Sequence, residues 1–103
     1  MNDSTELIWA LEAEYERDVG FLGRLRRGEF DREGLDRLVK LVESIDFGDA
    51  LTINRRVVSL LWGIPTFMGW QSDRVAQKHG DVNALRHGID KLETTLNTVL
   101  GTP

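Results

Sequence analysis

Apolar residues recur at threes and fours in three separate stretches of this chain, the spacing that gathers side chains on one face of an α-helix. The first stretch holds Ile8, Leu11, Tyr15, Val19 and Leu22, the second Leu35, Leu38, Val39, Val42 and Ile45, and the third Leu85, Ile89, Leu92, Leu96 and Val99. No segment alternates with a period of two over a strand's length, so the pattern predicts an all-α protein. A fourth stretch, RRVVSLLWGIPTFMGW at 55–70, is the densest apolar run; between Val57 and Trp70 its only polar residues are Ser59 and Thr66. It falls short of the ~20 residues that span a bilayer, and Gly63 and Pro65 break it. It reads as the buried centre of the fold, with Trp62 in the core and Phe67, Met68, Trp70 and Val75 continuing the buried face.

Capping and turn residues divide these stretches into elements. The first helix starts near Asp3 or Ser4, both good N-caps, with Glu6 placed to complete a capping box with Asp3. It is expected to run through Arg27 and to end at Gly28 as a left-handed C′ residue, with a kink, a pause or a close helix approach at Gly20 and Gly23. Arg24, Arg26 and Arg27 then complement the negative end of the helix dipole. Asp31 caps the second helix, whose polar side pairs Glu33 with Arg37 and Asp36 with Lys40 at i, i+4. The DFGD segment at 46–49 reads as a turn through Gly48 with Phe47 tucked inward. DFG is also a fragment of the protein-kinase signature, but the chain has no glycine-rich loop, lysine-bearing strand or catalytic-loop motif to go with it.

A helix from Ala50 or Leu51 to Trp62 is expected next, closed by Gly63 in a left-handed conformation, with Ile64 driven toward extended geometry and Pro65 opening the following helix. The alternative is one long helix kinked at Pro65. Gly80 stops that region, Asp81 caps the last helix, Gly101 closes it, and Thr102 and Pro103 are expected to fray. The sum is a compact single-domain bundle of four to six helices spanning residues 1–103.

Charge narrows the kinds of partner. Of 103 residues, 17 are acidic and 13 basic, and the imbalance is confined to one half: residues 1–50 hold 13 acids and 7 bases, a balance of −6, and residues 51–103 hold 4 acids and 6 bases, a balance of +2. An acidic N-terminal half disfavours nucleic acid and favours a basic protein partner. The chain has no cysteine, which excludes disulfides and thiolate metal sites. The start MNDSTELIW has neither a basic leader nor a long apolar run, so a cytoplasmic protein with no membrane association is expected.

Catalytic signatures are faint. His79 and His87 lack metal-ligand spacing, Ser59 has no histidine near it in sequence, and no glycine pair follows a strand as a phosphate-binding loop requires. No catalytic, cofactor-binding or metal residue is therefore assigned, and a non-enzyme is expected. The acidic set Glu12, Glu14, Glu16 and Asp18 is more telling, because Glu12 and Glu16 stand one helical turn apart. Asp46 and Asp49 flank the turn at 46–49. Glu12, Glu16, Asp46 and Asp49 are the candidate partner-binding residues, and an exposed tryptophan or tyrosine beside them would supply an anchor.

Three segments, LIWALEAEYERDVGFLGRLRRGEF at 7–30, INRRVVSLLWGIPTFMGWQSDRV at 53–75 and LNTVLGTP at 96–103, resemble the immunity proteins of bacterial contact-dependent growth inhibition, in their small helical subgroup. The likeness is of whole segments, without a catalytic signature. It implies a cytoplasmic protein that binds the C-terminal toxin domain of a large secreted effector, often a nuclease, and neutralises it. Immunity residues vary with the toxin they match, so the resemblance transfers no binding residue. The rival reading is a regulatory or structural helical module, a homodimer whose subunits meet along the last helix; a solvent-facing stripe from Leu85 to Val99 would favour it.

Overall fold

The computed structural model describes residues 4–101 and is all-helical, with seven helical segments among the described residues: α1 Ser4–Tyr15, α2 Phe21–Leu25, α3 Arg32–Glu43, α4 Arg55–Leu61, α5 Ile64–Trp70, α6 Ser72–Gln77 and α7 Val82–Leu100. α5 and α6 abut at Gln71, which caps both, so six helical bodies pack together. α7 is the spine, lying against α3, α5 and α6, while α1 packs on α4 and α2. One cluster fills the centre, drawing Leu7 and Leu11 from α1, Phe21, Leu22 and Leu25 from α2, Leu38 and Val42 from α3, Val57, Leu61, Ile64, Met68 and Val75 from α4 to α6, and Leu85, Leu92 and Leu96 from α7. No described helix is long and apolar enough to cross a membrane. The expected capping role of Asp3 and the expected fraying of Thr102 and Pro103 lie outside the described residues.

The first expected helix is two. α1 stops at Tyr15 because the Glu16 carboxylate accepts hydrogen bonds from the backbone N–H groups of Asp18 and Val19, both at 2.8 Å, which holds the chain in a turn. The returning segment then lies hard against the end of α1. A Cβ added at Gly20 would sit 2.3 Å from the Ala13 carbonyl oxygen, and one at Gly23 2.0 Å from that of Glu16, so glycine is required at both. Val19, expected in the core, is carried out on the tip of this turn and is exposed. Gly28 does close α2 with a positive φ of 83°, as expected, and Gly48 and Gly101 turn the chain in the same left-handed sense.

Asp31 precedes α3, but its side chain makes no capping bond; it pairs with Arg24 at 3.3 Å instead. Arg24 also approaches Glu29, and Arg27 meets Glu29 at 2.8 Å and Asp18 at 3.5 Å, so much of the arginine triplet is spent on local carboxylates. Arg26 stands over the Phe67 ring, 5.3 Å from its centroid. Arg37 does not serve Glu33; it reaches across to Glu14.

The densest apolar stretch holds the largest departure from expectation. α4 starts at Arg55 and not near Ala50, because the Asn54 side chain accepts from the N–H groups of Arg56 and Val57 and fixes the N-terminus there; Leu51 lies free in the preceding loop, fully exposed. Gly63 is right-handed (φ −87°), and Ile64 is already helical, so Pro65 falls in the first turn of α5 as expected. The buried positions Val57, Leu60, Leu61, Ile64, Met68, Gln71 and Val75 keep one helical face across both junctions. Trp62 and Trp70 sit on the other side. Trp62 is 66% exposed and Trp70 74%, so neither belongs to the core.

Candidate functional site

α1 buries Leu7, Leu11 and Glu14 and turns Glu6, Trp9, Glu12 and Ala13 to solvent. A stripe at positions 7, 11 and 14 fixes the residues at 6, 9, 12 and 13 on the opposite side. Trp9 is 66% exposed, with a glutamate one turn away on each side. Exposure of this kind leaves a large amphipathic ring, which carries little entropy, ready for contact.

The four predicted acidic residues divide between local duty and solvent. Glu12 holds Arg56 of α4 at 2.8 Å, although both side chains remain accessible. Glu16 is fixed by the two backbone N–H groups of its turn; these bonds, that to Val19 foremost, favour the carboxylate and lower its pKa. Asp46 accepts from the Gly48 N–H at 2.8 Å, and Asp49 is exposed. Asp46 lines a different cleft from the Trp9 face, beside Thr94, Thr95 and Thr98 of α7, whereas Glu12 borders Tyr15, Arg56, Ser59 and Leu60. Phe47 packs partly against the core, as its inward placement required.

Glu14 belongs to the acidic set of α1 in sequence, but the fold uses it otherwise. Its carboxylate is buried and accepts from Arg37 through both oxygens, Oε2 from Nε and Oε1 from Nη2, each at 3.0 Å, and also from the Phe21 N–H at 3.1 Å. The contact raises the Arg37 pKa, chiefly through the hydrogen bond to Glu14. Glu14 therefore ties α1, the start of α2 and α3 together. A signal was present in the sequence: Glu14 stands three residues after Leu11 and seven after Leu7, on the apolar stripe.

Tyr15 is half-buried; its hydroxyl donates to the Leu60 carbonyl at 2.9 Å, and its ring meets Phe67 edge-on with centroids 5.9 Å apart. It is a packing residue, which leaves Trp9 as the aromatic beside the acidic residues of α1. Ser59 donates to the Arg56 carbonyl at 2.8 Å, a local helix contact. Among the described residues there is no group of three or more His, Asp or Glu side chains placed to hold a metal. Comparison with protein-family models, curated proteins and solved structures finds no match.

Proposed function

We propose that this protein acts by binding another protein, and that the partner is a basic toxin domain which it neutralises in the cytoplasm, as the resemblance to growth-inhibition immunity proteins implies. The observation that carries the reading is Trp9, 66% exposed on α1 between Glu6 and Glu12. Neutralising an enzyme calls for nanomolar affinity, about −12 kcal/mol, and charge alone does not supply it. Binding energy in tight interfaces concentrates in a few anchors, tryptophan foremost, while surrounding charges steer association and select the partner. An acid-flanked tryptophan has both properties, and a nuclease, built to meet phosphate, offers the complementary basic surface.

The rival dimer along the last helix loses its support, because Leu85, Leu92 and Leu96 are buried within the chain and its stripe does not face solvent.

The test is co-expression with the toxin domain of a large effector gene lying immediately upstream, followed by binding measurements on the purified pair. Wild type is expected to protect cells and to bind tightly. Trp9→Ala, at an exposed site, is expected to keep its helical circular dichroism while losing at least about 2 kcal/mol of binding. Glu6→Lys is the cleanest charge probe and is expected to slow association most at low salt. Reversing Glu16 or Asp46 would also remove a carboxylate that holds a backbone turn, so those variants report on folding as well. Wild type that neither binds nor protects would remove the immunity reading; binding that ignores Trp9 would move the interface elsewhere.

A further inference from the structure

The outer side of α4, α5 and α6 carries a second surface. Arg55, Ser59, Trp62, Thr66, Gly69 and Asp73 are all exposed and follow one another at steps of four, three, four, three and four, the spacing of an unpartnered helix seam. The inner face described above stays buried through both junctions, so these six positions share one outward face despite the bends at Gly63 and Gln71. Between Arg56 and Asp73 the sequence bears no formal charge. A Cβ added at Gly69 would meet nothing within 4 Å, so the strip is open there, and Trp70 stands on its flank, 74% exposed.

We propose that this strip pairs with the same strip on a second copy of the chain, antiparallel about a twofold axis at the level of Ile64. The charges and sizes are self-complementary in that register and select a second copy over an unrelated partner. Arg55 falls opposite Asp73 of the other copy, Ser59 opposite Gly69 and Trp62 opposite Thr66, each contact occurring twice as an isologous interface demands. Opposite charges meet at both ends, a large ring meets a small side chain near the axis, and two small residues let the backbones approach. Neither Arg55 nor Asp73 has an ion-pair partner among the described residues, so both are available for pairing. A contact built on six positions of each copy is small for a specific interface, so the dimer is reversible and concentration-dependent. Trp9 belongs to α1 and not to this strip, although the two surfaces adjoin where Ser59 and Glu12 line one cleft.

Sedimentation of the full chain from micromolar to millimolar concentration tests the proposal. Wild-type mass is expected to rise toward that of a dimer. Arg55→Asp sets like charges against each other at both ends and is expected to raise the dissociation constant about tenfold or more. Trp62→Ala removes two rings per dimer and is expected to raise it about a hundredfold. Arg55→Asp combined with Asp73→Arg restores opposite charges and is expected to recover wild-type association. Aspartate at the first position of α4 suits the helix dipole, and circular dichroism verifies that each variant is folded. A wild type that stays monomeric at millimolar concentration overturns the proposal, as does a dimer indifferent to Trp62→Ala and Arg55→Asp, or a folded double variant that fails to recover.

Discussion

Tyr15 is the sole tyrosine of the chain, which makes its ionisation directly observable. Burial disfavours the phenolate and raises the pKa, an effect that the nearby Arg56 guanidinium only partly offsets. The folded state therefore keeps the proton to higher pH than the unfolded state, whose value is about 10. The associated stability is fully present below about pH 10 and is lost as pH rises through the folded value, because there the unfolded chain binds fewer protons. Ultraviolet titration of the phenolate is expected to give a higher midpoint in native protein than in denaturant; a native midpoint at or below the denatured one would contradict the placement of this ring. Single positions were legible where the helical period was followed, and misread where residue type was allowed to decide. Trp62 adjoins the buried Leu61 in a run of apolar residues, yet Val57, Leu61, Ile64 and Met68 already occupy the inward direction at threes and fours. Glu14 is the converse, a carboxylate on an apolar stripe that burial tolerates because Arg37 and the Phe21 N–H satisfy it.

α4 and α7 begin, and α1 ends, where a side chain captures backbone N–H groups, and α4 shows the size of the effect. The Asn54 oxygen accepts from Arg56 at 2.8 Å and from Val57 at 3.3 Å, two donors that the first turn would otherwise leave without a partner. Asn54→Ala is expected to destabilise the fold by about 1 kcal/mol, read as a lower denaturation midpoint with an unchanged slope; no measurable loss would mean that water or another group serves those donors equally well. Asp81 caps α7 in the same way, accepting from the Ala84 N–H at 2.9 Å, and that start was legible because Asp81 directly follows the stop at Gly80. Around α4 the apolar Leu51 and Ile53 ahead of the run concealed the cap. The break between α1 and α2 was harder still to read. Glu16 lies in good helical sequence and ends the helix only because its carboxylate folds onto Asp18 and Val19, while Gly20 and Gly23 admit the returning chain. Their glycines allowed a pause or a close approach, and only the tertiary contact decides that both occur.

At the scale of the molecule, the core is aliphatic apart from Phe21, and all three tryptophans are left outside it, at 66% exposure or more. A fold of this size gains most of its stability from apolar burial, and keeping its three largest rings in water forgoes part of that gain. Single exposed apolar residues are ordinary; three tryptophans, with every one of that type in the chain among them, fit a protein whose surface is built for contact. The arrangement has an optical consequence. Tryptophan emission from dilute folded protein is expected to resemble that of the unfolded chain, and a soluble quencher such as iodide is expected to reach the native rings almost as well as the denatured ones. Raising the concentration into the dimeric range should then shield part of the emission, since Trp62 would be covered while Trp9 stays open; Trp62→Phe should abolish most of that change and Trp9→Phe should not. Native emission strongly shifted to the blue and resistant to quenching in dilute monomer would place the rings in the core and overturn both surfaces at once. Shielding that follows Trp9 in place of Trp62 would put self-association on α1, where it would compete with the toxin for the same face.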